Sequence, residues 1–462
     1  MLFIVTFIST INVISYNANQ HTIINTIQND LDTGAVKFPT AWNRSISTGI
    51  DTWTDCLVLE IATYPKNNNL YSFSRAQFYS FGPGTQYSGS SSDNHKCSHL
   101  SEKLHAQSFP GRVTVDYWRY WWGSAQLLNI AIGYAGLSLP AYQQSLKIIT
   151  YLLILLVGIS ALVRYRRGAW PFIPFTLAVC FGFELPLFGQ SIAHAPSLIA
   201  GLLLILIYIV TKIDRTNFYW QFGFFFIVGG IVFYFELLNG NLVAILVFTA
   251  LLRLVSVRAG DTLLTRGPEW LTPWPRSSAV ASAMAAYFAG AVSTAVLRIL
   301  LRAMFMNQSV FETFTEWRLE AGKYSSERLL QNQMGWKALM QRCYWQIEDA
   351  TFPYIGRHGI VAIYGICTLI YLAMCVRLLL RTRYLDRAAR DTTLAAAFVI
   401  IIVPMWYGAF MGHAVVHPWM MMRLLSLFFA LAPSVGLIVI ADDIDRRRAN
   451  VIPFDATLQS GR

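Results

Sequence analysis

Composition alone places this chain among membrane proteins. Its 462 residues are 55% hydrophobic and only 13% charged, and the mean hydropathy is +0.44; together these values exclude a soluble multidomain protein. The net charge of +11 does not indicate a nucleic-acid partner, because much of the Lys and Arg excess lies in short tracts beside apolar runs, as in cytoplasmic loops. These tracts contain Arg164, Arg166 and Arg167; Arg377, Arg381, Arg383, Arg387 and Arg390; and Arg446, Arg447 and Arg448.

The first predicted element is a short transmembrane span over residues 1–16. It lacks a basic lead and a small-residue cleavage pattern, so an uncleaved span is favoured over a signal peptide. Residues 17–145 are polar and rich in Asn, Ser, Thr and Gly, but they keep their aromatic residues. They predict an extracytoplasmic segment that folds against the membrane, with an exposed loop at 81–93 and an interfacial or partly inserted helix at 121–139.

A series of apolar runs follows, and each run predicts a transmembrane helix. The runs lie at about 146–163, 170–188, 196–212, 217–235, 241–257, 279–301, 358–379, 392–409 and 423–441. The predicted fold class is therefore an all-α polytopic membrane protein of about ten transmembrane helices with a large extracytoplasmic insert after the first span. Spans 2–7 occupy 146–301, an extracytoplasmic loop occupies 302–357, spans 8–10 occupy 358–441, and a cytoplasmic tail occupies 442–462.

The Arg-rich tracts orient these spans. We place the tract that follows residue 163 in the cytoplasm. Residues 17–145 and 302–357 then lie outside the cell membrane, and both termini lie inside. Every Arg-dense connector is cytoplasmic in this topology. On this topology Cys56, Cys97 and Cys343 are extracytoplasmic, where a disulfide among them is allowed. The sequence shows no Walker loop or Gly-x-Gly-x-x-Gly motif, which argues against ATP-driven transport by this chain alone.

Ionisable residues gather at the predicted outer boundary of the membrane, where charge is costly. Such residues from separate segments at one membrane level predict a shared active-site or binding cavity. They are Asp51, Asp55, Glu60, Arg119, Glu184, His194, Glu236, Arg298, Arg302, His413, His417 and Arg423.

Several of these residues also have simpler interpretations. Arg298 and Arg302 could reach the outer lipid headgroups, and the aromatic residues at 117–122 could form an interfacial belt. His413 and His417 have a metal-ligand spacing, but Pro418 disfavours a helix there and no third ligand is evident, so no metal site is predicted.

Four short motifs resemble a group of bacterial polytopic membrane proteins. They are Asp-Thr-Trp-Thr-Asp at 51–55, Tyr-Trp-Arg-Tyr-Trp-Trp-Gly at 117–123, Tyr-Phe-Glu-Leu-Leu at 234–238, and Gly-His-Ala-Val-Val-His-Pro-Trp-Met-Met-Met-Arg at 412–423. That group is similar to the GT-C class of membrane glycosyltransferases. This chain departs from the group's pattern in having Glu236 where an Asp is expected and Trp122 where a His is expected, and the second change argues against proton transfer at residue 122.

The resemblance implies transfer of a sugar from a polyprenyl-phosphate donor to an acceptor hydroxyl of a cell-envelope glycan or other molecule, on the outer face of a bacterial inner membrane. Asp55 or Asp51 would be the catalytic base. Substrate-binding positions are those that can bind phosphate, stack on a sugar or line the cavity: Tyr117, Arg119, Trp121, His194, Glu236, Arg298, Arg302, His413, His417 and Arg423. Trp53, Trp118 and Trp122 are further stacking candidates. No cofactor is implied, because the lipid-linked donor is itself the substrate. Membrane lipids surround the protein and its donor.

Two other classes of function remain open. A transporter or flippase for a lipid-linked or anionic solute would place charges through the middle of its spans and show inverted internal symmetry. A structural subunit would leave the outer ionisable residues without a role.

Overall fold

A computed structural model describes most of the helical part of the chain. The described residues are 1–36, 52–64, 77–81, 112–116, 122–182, 189–235, 240–257, 274–315 and 387–409, with isolated positions at 100, 104, 185, 366, 369 and 373 and short pieces of 424–438. All structural statements below concern these residues.

The N-terminal region forms two helices, α1 (Leu2–Asn17) and α2 (Gln20–Asp32), which meet at a bend of 77°. Asn19 caps the start of α2 with its side chain, which satisfies one of the amide groups that lack a partner within the helix. The buried Asp30 carboxylate accepts a hydrogen bond of 2.6 Å from the Leu139 N–H. Through this bond α2 is fixed to the start of the first long helix.

The predicted extracytoplasmic segment contains helix α3 (Thr52–Thr63), strands β1 (Gln77–Phe81) and β2 (Arg112–Asp116), and helix α4 (Gly123–Gly133). The strands pair antiparallel, with Gln77 opposite Asp116. The rest of the described chain is helical, as predicted, and this pair of five-residue strands is a short exception to the all-α fold. An antiparallel pair this short carries little periodic signal in the sequence, which explains why it was not predicted.

Seven further helices follow, and each overlaps one of the predicted apolar runs. They are α5 (Leu139–Tyr165), α6 (Phe172–Gly182), α7 (Ala195–Val210), α8 (Phe218–Phe235), α9 (Gly240–Ser256), α10 (Pro275–Met306) and α11 (Arg387–Ala409). The start of α5 lies at Leu139 rather than near residue 146, because Ser138 caps the helix there by accepting from the Ala141 N–H. The predicted boundary between insert and span at residue 145 falls inside this helix and stays a prediction.

Helices α5, α8 and α10 are long and apolar enough to cross a membrane. The bent pair of α1 and α2 would be a fourth candidate span if the two helices cross the membrane together. Helices α7, α9 and Ser426–Ile438 are apolar but shorter. Along α5, a row of exposed apolar side chains including Leu152, Leu155 and Val163 provides the kind of face that lipid covers. The described residues thus form a helical membrane protein, while the count of ten spans stays a prediction.

Side-chain contacts show that α7 and α9, which have the same predicted direction, lie side by side. Asn241 at the start of α9 donates to the His194 carbonyl before α7, and Arg253 near the end of α9 donates to the Tyr208 hydroxyl near the end of α7. The bundle therefore has two polar ends. We call the one that contains His194 the Asp55 end and the one that contains Arg253 the Arg276 end.

The Arg276 end is tied together by a buried carboxylate. Asp391 accepts hydrogen bonds from the backbone N–H groups of Arg276, at 2.8 Å, and Ser277, at 2.9 Å. The Arg276 guanidinium in turn donates to the Thr392 hydroxyl and the Val257 carbonyl. These bonds cap the start of α10 and join it to α11. Near the same end, Arg164 pairs with Asp214.

Helices α8 and α10 approach each other through glycines. A Cβ atom at Gly229 would lie 1.9 Å from the Tyr287 carbonyl oxygen, and one at Gly290 would lie 1.9 Å from the Phe226 carbonyl oxygen. Small residues allow this separation between membrane helices. This close approach fixes the position of α10, and therefore also of Arg298 and Arg302 near its end.

Substitution of Gly229 by alanine is expected to destabilise the bundle strongly. The added methyl group must displace backbone of α10, and overpacking of this kind costs about 1–3 kcal/mol or more. Gly223→Ala on the same helix is the matched control, because nothing lies within 4 Å of its Cβ position. Thermal unfolding of the purified protein in detergent should show a lowered midpoint only for Gly229→Ala. Equal midpoints for the two variants would contradict the packing described here.

Candidate active site

Helix α3 is buried on nearly all sides. Cys56, Leu57, Val58 and Leu59 are successive fully buried residues, so the helix is enclosed rather than lying on a surface. The same helix carries Asp55. A carboxylate on such a helix must find hydrogen-bond donors, because an isolated buried charge is costly.

Asp55 finds its donors in the turn that precedes α7. Its Oδ1 atom accepts a hydrogen bond of 2.8 Å from the Ser191 hydroxyl and one of 2.9 Å from the Ala193 N–H. The Asp55 side chain is 0% exposed, so both bonds form away from bulk water, where they hold a carboxylate firmly. We call this arrangement the Asp55 clamp.

The turn at 189–194 is held by neighbouring helices. Ser124 at the start of α4 donates to the Ala193 carbonyl at 2.8 Å, and Asn241 donates to the His194 carbonyl at 2.9 Å. The His194 side chain is fully buried at the start of α7. The predicted site residues Asp55 and His194 therefore lie in one buried polar region to which α3, α4, α7 and α9 contribute.

Arg298 and Arg302 lie one turn apart near the end of α10, with side chains only 2% and 8% exposed. Such burial contradicts the alternative interpretation that they extend to lipid headgroups. Tyr234 is a fully buried residue at the end of α8. Its hydroxyl group donates to the Gln126 side-chain oxygen and lies 3.2 Å from the Asn12 side-chain oxygen.

A short chain of contacts connects the end of α8 to the Asp55 clamp. A Cβ atom at Gly123 would lie 2.6 Å from the Tyr234 ring, and the neighbouring Ser124 hydroxyl lies 3.4 Å from the Phe235 carbonyl oxygen as well as bonding to Ala193. The start of α4 thus lies between the Asp55 clamp and the end of α8.

The backbone is strained where α4 begins. Trp122 has a left-handed φ of 56°, a conformation that is uncommon for a bulky residue and costs on the order of 1–3 kcal/mol. Its side chain is 3% exposed, so in this structure Trp122 does not offer an open face on which a sugar could stack. Strain of this kind concentrates at functional sites, and here it lies beside Ser124.

The remaining predicted site positions lie outside the described residues. They are Asp51, Tyr117, Arg119, Trp121, Glu236, His413, His417 and Arg423, together with the outer-boundary residue Glu184, the stacking candidate Trp118 and the side chain of Trp53. Among the described residues, no group of three or more His, Cys, Asp or Glu side chains is placed to hold a metal ion.

Cys56, the residue after Asp55, is disulfide-bonded. Cys180 is a free cysteine, and the cysteine that pairs with Cys56 lies outside the described residues. Cys56 therefore takes part in a disulfide, while a bond among Cys56, Cys97 and Cys343 stays a prediction.

Sequence reasoning missed the uncharged polar residues that complete the region, among them Ser124, Ser191 and Asn241. Ser191 is 136 positions from Asp55, so no local pattern links the two residues. One signal was available: residues 189–194, which connect two apolar runs, are mostly small or polar.

No protein-family model matches the chain, and no curated protein and no solved structure is significantly similar to it.

Proposed function

We propose that this protein is a membrane glycosyltransferase that moves a sugar from a polyprenyl-phosphate donor to an acceptor hydroxyl at the Asp55 end. The observation that carries the proposal is the fixed, buried Asp55 carboxylate at the same end of the bundle as the buried Arg298 and Arg302. Sugar transfer from a lipid phosphate requires both a base for the hydroxyl and positive charge for the departing phosphate.

The reaction assigns a role to each group. The carboxylate of Asp55, or of the second candidate Asp51, accepts the proton of the acceptor hydroxyl while the hydroxyl oxygen forms a bond to the anomeric carbon of the donor sugar. The bond from that carbon to the phosphate oxygen breaks, and the lipid phosphate leaves with the electron pair. Arg298 and Arg302 match its negative charge through charge-assisted hydrogen bonds. The Asp55 clamp orients the base before the substrates arrive.

Two independent features support an extracytoplasmic location for the Asp55 end. Structural disulfides persist in oxidising compartments, and the disulfide-bonded Cys56 lies beside Asp55. Arg-rich connectors favour the cytoplasm, and Arg164 and Arg253 belong to the opposite end. These features and the sequence resemblance support our proposal that the activity lies at the outer face of a bacterial inner membrane, with both termini of the chain in the cytoplasm.

The distribution of charge favours an enzyme over a transporter or flippase. Helices α7 and α8 contain no Asp, Glu, Lys or Arg, and α10 has its charged residues only near its ends, at Arg276, Arg298 and Arg302. A path for a charged solute would require polar groups at mid-membrane depth in these helices. Their central segments contain no charged side chain.

The proposal is tested with purified protein, radiolabelled polyprenyl-phosphate glucose, mannose and arabinose, and a panel of alkyl glycosides as acceptors. Wild-type protein should transfer label from one of these donors. The double variant Asp51→Asn/Asp55→Asn, which lacks both candidate bases, should lose roughly 100- to 10,000-fold of that rate, the usual contribution of general-base catalysis. Full activity of the double variant would exclude the catalytic assignment. Absence of wild-type transfer with every donor, accompanied by movement of the lipid across a sealed vesicle membrane, would favour the flippase.

A further inference from the structure

Two connections between helices meet at the Arg276 end of the bundle. One joins α5 to α6 at residues 166–171, and the other joins α7 to α8 at residues 211–217. Arg164 at the end of α5 forms an ion pair with Asp214, and the Tyr165 hydroxyl donates to the other oxygen of the same carboxylate at 3.4 Å. These contacts hold the two connections side by side.

The connection between α7 and α8 has a backbone that is fixed by hydrogen bonds. The Arg215 N–H donates to the Lys212 carbonyl at 2.9 Å. From the first turn of α8, the Gln221 side chain donates to the carbonyls of Asp214, at 3.1 Å, and Thr216, at 2.7 Å. Side chains on this connection are therefore presented from a preorganised backbone, which lowers the entropic cost of binding a ligand.

Three cationic side chains on the two connections remain exposed. They belong to Arg166, Lys212 and Arg215, and none of them forms an ion pair or a side-chain hydrogen bond with another residue that the structure describes. The one acidic residue in the two connections, Asp214, is already paired with Arg164. The positive charge of the three cations is thus not balanced by the neighbouring sequence.

Two of these cations stand where the backbone favours glycine. Arg166 has a φ of 52° and Lys212 a φ of 57°, and long side chains rarely adopt this left-handed conformation. Strained backbone of this kind concentrates at functional sites. The choice of an arginine and a lysine at these positions therefore favours a binding role over a purely structural one.

Exposed aromatic side chains lie in and beside the same connections. Trp170, Tyr219 and Trp220 are 41%, 67% and 72% exposed. The exposed apolar side chains of α5 and α7 continue as far as Val163 and Val210, so the connections begin where the lipid-facing apolar surface ends. Tryptophan, tyrosine and cations at that level are typical of the phospholipid headgroup region. A lipid fits this surface better than a soluble anion, because the exposed rings require an apolar partner as well as a phosphate.

We propose that these two connections form a binding surface for the headgroups of anionic phospholipids. We call it the basic rim, and it consists of Arg166, Trp170, Lys212, Arg215, Tyr219 and Trp220. The cations bind the lipid phosphate, and the aromatic rings contact the glycerol and the first part of the acyl chains. The basic rim lies at the opposite end of the bundle from Asp55, so this binding is separate from the proposed sugar transfer.

The test uses delipidated protein in an uncharged detergent, titrated with phosphatidylglycerol or phosphatidylcholine and measured by native mass spectrometry. Wild-type protein should bind phosphatidylglycerol more tightly than phosphatidylcholine. The triple variant Arg166→Gln/Lys212→Gln/Arg215→Gln should lose roughly 100-fold in affinity for phosphatidylglycerol, about fivefold for each charge removed. Phosphatidylglycerol should also raise the unfolding midpoint of wild-type protein but not that of the triple variant.

Arg390→Gln is the matched control for the single variant Arg215→Gln. Arg390 is an exposed arginine on α11 at the same end of the bundle, but it lies outside the basic rim, so its loss should leave affinity for phosphatidylglycerol unchanged. Without lipid, all variants should unfold at the wild-type midpoint, because the replaced side chains are exposed.

Three results would each overturn the proposal. They are full affinity of the triple variant, an equal loss in Arg390→Gln and Arg215→Gln, and equally tight binding of glycerophosphoglycerol, the soluble headgroup without acyl chains. The measurement requires no transfer of sugar, so its outcome is independent of the proposed function.

Discussion

Asp55→Asn is expected to abolish sugar transfer while leaving the protein folded. The asparagine side-chain oxygen can accept the same hydrogen bonds from Ser191 and Ala193 that the Asp55 Oδ1 atom accepts, so the clamp persists. The amide cannot take a proton from the acceptor hydroxyl, however, and kcat should fall roughly 100- to 10,000-fold. Turnover of radiolabelled donor and the thermal unfolding midpoint are the two measurements, and only turnover should change.

Asp55→Ala is the companion variant. It removes the base and also leaves two buried donors without their acceptor, at a cost of about 1–3 kcal/mol for each, so both kcat and the unfolding midpoint should fall. The kcat of the Asp51→Asn variant is measured in the same assay. If Asp55→Asn retains full turnover while Asp51→Asn is inactive, the base is Asp51 and the clamp serves only to position α3.

Arg298→Gln should weaken binding of the carrier lipid. A charge-assisted hydrogen bond contributes about 1.5–3 kcal/mol, so the affinity for undecaprenyl phosphate is expected to fall roughly 10- to 150-fold. The neutral analogue undecaprenol, which lacks the phosphate, should bind both proteins equally. Binding can be measured by native mass spectrometry or by a fluorescence competition assay in detergent.

The matched control for this variant is Arg253→Gln. Arg253 is also a buried arginine, 4% exposed, but it belongs to the Arg276 end, where it donates to Tyr208. This variant should keep wild-type affinity for undecaprenyl phosphate even if its stability falls. Unchanged affinity of Arg298→Gln, or an equal loss in both variants, would exclude Arg298 as the phosphate-binding residue.

The positions of the long helices could be predicted from the sequence because the signal is local. A membrane-spanning helix requires about 20 apolar residues in a row, and the runs at 217–235 and 279–301 correspond closely to α8 and α10. The start of α5 at Leu139 was predicted less well. Its capping by Ser138 is local, but the bond from its first turn to Asp30 depends on tertiary structure.

The charged residues of the site could also be identified in part. Arg298 and Arg302 stood out because positive charge is unusual at the predicted outer end of a span, and the structure shows both buried. The Asp55 clamp gave no such signal. Serine is common in apolar helices and their connections, and its role here depends on contacts between residues far apart in sequence, such as Ser191 and Asp55.

The most direct test of the central claim, that sugar transfer takes place at the Asp55 end, is an experimental structure of the Asp55→Asn variant with a polyprenyl-phosphate sugar bound. The account predicts the phosphate within hydrogen-bond distance of the Arg298 or Arg302 guanidinium, and the anomeric carbon directed toward residue 55. A donor lipid bound instead beside Arg253 and Arg276, at the opposite end of the bundle, would contradict it.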